Sequence, residues 1–333
     1  MRIWPIFKGG DQATSHNLVD ALYSLSGKSI WVAGHRGMVG QALCRRLARD
    51  DCNVITVDRK DLDLRDRDRV SDWIGETRPD AIILAAAKVG GILANAEQPV
   101  AFIEDNLLIQ TSVIGAAHRH NVEKLLFLGS SCIYPRRAEQ PIREESLLGG
   151  ALETTNEFYA VAKIAGIKLC QAFRRQYGCD FISAMPTNLY GPGDNYDLRT
   201  SHVLPALLRK AHEARETGRK ELVIWGTGRA RREFLHVDDC ADALVHVLQH
   251  YSATAPINIG SGHDVTIAEL AGLIMDVVGL EGQLVADPSK PDGTPRKLLD
   301  SRRLRELGWH PSITLEDGVR MTYAEAPFRT IAA

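Results

Sequence analysis

The feature that most constrains this chain is a glycine turn set between an apolar strand and a helix. Ser29-Ile30-Trp31-Val32-Ala33 runs directly into Gly34-His35-Arg36-Gly37-Met38-Val39-Gly40, a GxxGxxG spacing, and a helical pattern opens at Met38. An apolar run without alternation suits a strand covered on both faces, the environment of a parallel sheet. Parallel strands need long crossovers, usually helices. The sequence supplies them. Strand patterns at 29–33, 54–57, 81–84, 124–128 and 180–185 alternate with helical patterns at 38–49, 67–76, 99–120 and 155–177. This order predicts an α/β fold with a doubly wound parallel sheet. At the glycine turn the backbone can approach a pyrophosphate closely. The following helix N-terminus offers free N–H groups and the positive end of its dipole. The turn therefore reads as a dinucleotide cradle.

The pattern loosens after residue 190. A loop rich in Gly, Pro and Asn (191–196) precedes a helix at 201–216 and a short strand at 222–225. A strand at 257–259 and a helix at 267–278 follow, with a Pro/Gly/Lys segment at 287–296. We expect a nucleotide-binding domain over 29–190, to which about 222–260 returns. A smaller, partly interleaved substrate lobe is expected over 191–330. Residues 1–28 read as an extension, polar and without periodicity from Gly9 to Asn17.

Composition excludes several function classes. Forty basic against 42 acidic residues leave a net charge of −2, so no global field draws nucleic acid or anionic lipid. No run approaches about 18 apolar residues, and no membrane partner is expected. Six cysteines lack CxxC spacing, so no metal site is expected, and the reducing cytoplasm is the expected compartment.

Three further positions carry chemistry. The second strand runs into Asp58-Arg59. An acidic residue there suits the ribose 2′-hydroxyl of NAD, while arginine suits the 2′-phosphate of NADP. Arg36 in the glycine turn adds a second cation and tips the reading to NADP(H). Tyr159 and Lys163 lie four apart and share a helix face. A tyrosine with a pKa of about 10 is a poor acid–base group at neutral pH, and a neighbouring ammonium is expected to favour its phenolate. Ser130 stands at the carboxyl end of the fourth strand, where open α/β sheets bind ligands.

With these segments in place, the chain resembles the extended short-chain dehydrogenase/reductase family over about 28–325. Within it the likeness is to the branch that epimerises and reduces GDP-linked 4-keto-6-deoxy sugars. The segments that carry it are Gly34–Gly40, Leu84–Gly91, Gly129–Pro135, Tyr159-x3-Lys163, Pro186–Pro192, Ser201-His202-Val203, Arg232–Asp239 and Lys290–Lys297. The resemblance implies epimerisation at C3 and C5 of GDP-4-keto-6-deoxy-D-mannose, then NADPH-dependent reduction at C4 to GDP-L-fucose. Two epimerisations need a base and an acid on opposite faces of the sugar. By resemblance these match Cys132 and His202, beside Ser130, Tyr159 and Lys163. Cofactor contacts match Gly34, His35, Arg36, Gly37, Met38, Val39, Gly40, Arg59, Leu128, Gly129, Ser130, Ser131, Lys163, Pro186, Thr187, Asn188, Leu189 and His202. Substrate contacts match Lys210, Trp225, Arg232, Asp292 and Lys297. A homodimer through the two long helices is also implied. Asp58 departs from the pattern, which has a neutral or basic residue there. Related GDP-L-colitose or GDP-heptose enzymes remain the alternative, and a non-catalytic cofactor sensor a distant one.

Overall fold

A computed structural model describes residues 21–290 and 292–329. Six parallel strands form the central sheet: β1 (Lys28–Ala33), β2 (Cys52–Ile55), β3 (Ala81–Leu84), β4 (Lys124–Leu128), β5 (Asp180–Pro186) and β9 (Ile257–Ile259). Their order is β2-β1-β3-β4-β5-β9. Each strand sends alternate side chains to opposite faces. Ile30, Val32, Ile83 and Leu126 enter one apolar core. Trp31, Ile82, Leu84 and Phe127 enter the other. Helices α1 (Met38–Leu47) and α7 (Val237–His250) cover the first face, and α2 (Arg67–Thr77), α4 (Pro99–Arg119) and α5 (Glu157–Tyr177) the second. The chain leaves β1 for one edge and returns through β3 on the other side. The loops after β1 and β3 therefore meet at the reversal of strand order, where such sheets bind ligands.

Helix α4 is long and apolar enough to cross a membrane by length and composition. Uninterrupted apolar runs do not reveal this. Here it packs between α2 and α5. Its buried Asn106 donates to the Lys88 carbonyl, and its buried Gln110 to the Ala162 carbonyl.

The second lobe is built on β8 (Arg231–His236), flanked by β6 (Asn188–Tyr190), β10 (Asp264–Thr266) and β12 (Arg296–Lys297). A separate pair joins β7 (Glu221–Trp225) to β11 (Gln283–Asp287). Helices α6 (Val203–Glu216), α8 (Ile267–Val278) and α10 (Leu315–Ala324) enclose a third core containing Tyr190, Leu208, Phe234 and Ile274. The short α3 (Ile92–Glu97) and α9 (Arg302–Glu306) complete the helices.

Three boundaries differ from the sequence reading. Only α7 and β9 return to the first sheet; residues 221–236 belong to the second lobe, because β7 and β8 find their partners there. The extension expected over 1–28 is shorter. Leu25 is buried, the Leu22 amide donates to the Gln249 carbonyl, and Lys28 already starts β1. Residues 1–20 lie outside the described residues. The strand expected at 54–57 lies two residues earlier in the chain, over Cys52–Ile55.

Candidate active site

The glycine turn is closed by steric necessity. Gly34 has φ +95, and a Cβ there would lie 2.6 Å from the Ala86 nitrogen in the loop after β3. A Cβ on Gly40 would lie 2.1 Å from the Gly34 carbonyl oxygen. No side chain caps the N-terminus of α1, and its first turn carries no acid. Those amides face outward as anion donors. The cradle fits a dinucleotide pyrophosphate on this geometry. Met38 and Val39 pack against the first core behind it.

Beyond β2, Asp58 is gripped rather than free. Its carboxylate accepts a short charge-assisted bond from Arg36 Nη2, and His35 Nε2 lies 3.2 Å from its other oxygen. Arg59 is exposed and makes no ion pair among the described residues. Both cations of the expected phosphate pocket are present, one already engaged.

Strand β4 delivers the reacting groups. Leu128 ends it, and its carbonyl accepts a 2.7 Å bond from Lys163 Nζ. The Gly129 amide donates to the Ala184 carbonyl, which leaves the chain free to turn at Ser130. The Ser130 hydroxyl caps a short 3₁₀ turn over Ser131–Ile133, accepting from the Cys132 amide at 3.3 Å. Tyr159 and Lys163 stand on α5, with the ammonium 5.9 Å from the phenol ring centroid. Phe102 meets the Tyr159 ring edge-on at 6.3 Å.

The electrostatics correct one expectation. Burial pushes the Tyr159 pKa well up, the Cys132 thiol adds to this, and only a hydrogen bond to Ser130 opposes it. Burial also lowers Lys163 to about 7. Both shifts disfavour the charged forms and so run against the expected phenolate. Tyr159 is instead kept protonated, which suits a donor to a forming alkoxide.

Cys132 is partly exposed, and two donors point at its sulfur. Asn156 Nδ2 lies 3.2 Å away, and Lys297 Nζ 3.8 Å. Asn156 escaped the sequence reading, although it sits three residues before Tyr159. Its Oδ1 is buried with no partner among the described residues. The parallel register of β12 on β8 sets Lys297 opposite Arg232. Arg232 is close enough to Cys132, Glu153 and Asp292 for each to raise its pKa, though burial lowers it overall. Glu153, also missed, is buried and pairs with Arg136 at 3.1 Å.

His202 is the N-cap residue of α6 and makes no side-chain cap bond. Its side chain is exposed, yet the protein packed around it displaces enough water to lower its pKa. Its position is held by the loop after β3: the Gly91 amide donates to the Thr200 carbonyl.

The expected substrate residues form a second cluster. Lys210 and Lys290 each place Nζ 5.7 Å from the Trp225 ring centroid, a cation–π pair of contacts on one indole. Asp292 is exposed and accepts from the Thr227 amide at 2.8 Å and its hydroxyl at 3.0 Å. Its carboxylate shapes the turn after Trp225. Pro186 ends β5, and the Thr187 amide donates to the Ile259 carbonyl. The side chains of Thr187 and Asn188 both donate to the Glu233 carbonyl, and Leu189 packs on the first core. No group of metal-binding side chains occurs among the described residues.

Comparisons with known proteins place the chain among nucleotide-sugar enzymes. The sequence profile of the NAD dependent epimerase/dehydratase family matches residues 30–260. GDP-L-fucose synthase of Sinorhizobium fredii is 59% identical over 302 residues, covering 91% of this chain and 96% of that protein. GDP-L-fucose synthase of Escherichia coli is 53% identical over 309 residues, covering 90% and 96%. A GDP-L-fucose synthetase from Naegleria fowleri bound to NADP superposes with a TM-score of 0.83 at 27% identity, covering 92% and 96%.

Proposed function

This chain belongs to the NAD dependent epimerase/dehydratase family, and we propose that it converts GDP-4-keto-6-deoxy-D-mannose to GDP-L-fucose with NADP(H). The observation that carries the reading is the meeting of Cys132 with the Ser130–Tyr159–Lys163 group. A reductase needs only the latter set; a thiol among them adds a base for carbon acids.

The Gly34–Gly40 cradle would hold the cofactor pyrophosphate, with Arg36 and Arg59 at its 2′-phosphate and Lys163 at its ribose. When bound there, the dihydronicotinamide supplies the hydride for C4. The chain's own residues do the rest. Cys132 removes the proton at C3 and later at C5, and His202 returns one from the opposite face. Each removal leaves negative charge on O4. Ser130 and protonated Tyr159 donate hydrogen bonds to that oxygen, which lowers the cost of forming the enolate. At reduction the same oxygen becomes an alkoxide, and Tyr159 protonates it. One site serves three steps because each builds charge on one atom. Lys210, Lys290, Arg232 and Lys297 supply cations for the GDP diphosphate, with Trp225 as an apolar wall.

A homodimer is part of the proposal. Leu108 on α4 and Phe158 and Val161 on α5 are exposed apolar side chains on the two long helices, which pack against each other. Six free thiols support a reducing compartment such as the cytoplasm.

The test mixes protein, GDP-4-keto-6-deoxy-D-mannose and NADPH in deuterated water. NADPH oxidation with deuterium at both C3 and C5 and an L-galacto product is expected. The same incubation with Cys132→Ala should bind NADPH yet lose exchange at both carbons. Oxidation without deuterium at C3 would replace the reading by a narrower epimerase/reductase, such as a colitose enzyme. No turnover would overturn it in favour of another GDP-sugar, a heptose included.

A further inference from the structure

Asp58 is the one residue of the cofactor cradle that runs against NADP, and the structure shows what it does with its charge. The turn that carries it is rigid: its carbonyl accepts from the amides of Asp61 at 3.0 Å and Leu62 at 2.9 Å. Its side chain, 20% exposed, holds Arg36 on one oxygen and His35 on the other. Arg36 is itself 74% exposed, so little besides Asp58 fixes it. Asp63, nearby, is committed to Arg65. Among the charges facing this spot, Arg59 and Lys60 are exposed cations and Asp61 an exposed anion.

A 2′-hydroxyl and a 2′-phosphate would meet this arrangement differently. A carboxylate has about four acceptor sites. A hydroxyl could donate to Asp58 while the Arg36 pair stayed intact. A 2′-phosphate brings nearly two negative charges. It must draw Arg36 off Asp58, or lie beside a carboxylate that repels it.

We infer that Asp58 sets the cofactor specificity of this chain: by holding Arg36 it narrows the preference for NADPH and lets NADH bind in its place. The inference rests on the cofactor reading above. Arg59 supplies the phosphate contact that remains, and Asp58 supplies the hydroxyl contact.

The experiment titrates the purified full chain with NADPH and separately with NADH at fixed ionic strength, following nucleotide fluorescence. No sugar is present, so binding is read apart from turnover. The wild type is expected to bind both, NADPH within about 100-fold of NADH. Asp58→Asn should tighten NADPH and loosen NADH, widening their ratio about tenfold. Arg36→Gln should loosen NADPH about tenfold or more while NADH holds or tightens, because the carboxylate, still beside His35, then has one oxygen free for the ribose. Thermal melts establish that each variant is folded, and either variant suffices. A ratio unchanged within about twofold in Asp58→Asn, or a uniform loss of both nucleotides in Arg36→Gln, would overturn the inference. Failure of the wild type to bind either nucleotide would overturn the cofactor assignment, and this inference with it.

Discussion

Replacing Lys163 by methionine is expected to stabilise the protein while abolishing turnover. Lys163 is 3% exposed, and no carboxylate pairs with it among the described residues. Its ammonium has the Leu128 carbonyl at 2.7 Å and the Phe127 ring centroid at 4.8 Å. Burial pulls its pKa from 10.5 to about 7. At about 1.4 kcal/mol per pH unit, that burial costs roughly 4–5 kcal/mol at pH 7. Methionine matches the length of the stem and removes the charge. It leaves the Leu128 carbonyl without its donor, about 1–3 kcal/mol, and forfeits the cation–π contact, about 1 kcal/mol. The net gain is about 0–3 kcal/mol, centred near 1.5 and a few degrees in Tm. The sign with pH follows from proton counting. The folded state holds fewer protons than the unfolded one between about 7 and 10.5, so this group adds stability to the wild type as pH rises through that window. Below pH 7 its cost is constant. The lead of Lys163→Met should therefore shrink by about 2 kcal/mol between pH 7 and 9, and reverse. Thermal melts of both proteins at pH 6.5, 7 and 9, without nucleotide, read this directly. Turnover should fall at least about 100-fold. A variant less stable than wild type at pH 7, with a gap indifferent to pH, would refute the argument that burial sets the cost of this lysine.

Three other perturbations follow from the structure. Gly40→Ala drives a Cβ into the Gly34 carbonyl; NADPH titration should show affinity lost at least about tenfold and the melt a loss of about 1–3 kcal/mol, and unchanged affinity would mean the turn is not the cradle. Glu233 is fully buried, bonded by the amides of Gly262 and Leu299, and raised by burial to about 7. Its folded state holds the extra proton, so its stabilisation is full below pH 4.5 and is lost as pH rises to about 7. Glu233→Gln should flatten the decline in Tm between pH 5 and 7.5, and an identical slope in both proteins would refute the assignment. Leu108→Glu places a charge at an exposed apolar position of α4; light scattering should show a dimer reduced to monomer at micromolar concentration, and an unchanged mass would move the interface elsewhere.

By itself the sequence determined the parts that depend on near neighbours. The glycine spacing, the apolar strands and the amphipathic crossovers are local patterns, and the parallel sheet follows from them with the glycine turn at its switch point. Tyr159 and Lys163 share a face because a helix puts residues four apart together. Strand β8 was not read as a strand, and three charged residues, Arg231-Arg232-Glu233, open it, yet Glu233 is wholly buried as an acceptor for two loop amides. The two-residue β12 exists only through its pairing with β8. That pairing carries Lys297 to the sulfur of Cys132, 165 residues away in the chain. Asp292 was legible only as a substrate contact; that it also braces the Trp225 turn, through a contact across 65 residues, was not. The direction of the Tyr159 and Lys163 pKa values was likewise out of reach. Spacing shows that two charges are close; how much water each has lost is decided by every element packed around them, and that is a property of the tertiary structure alone.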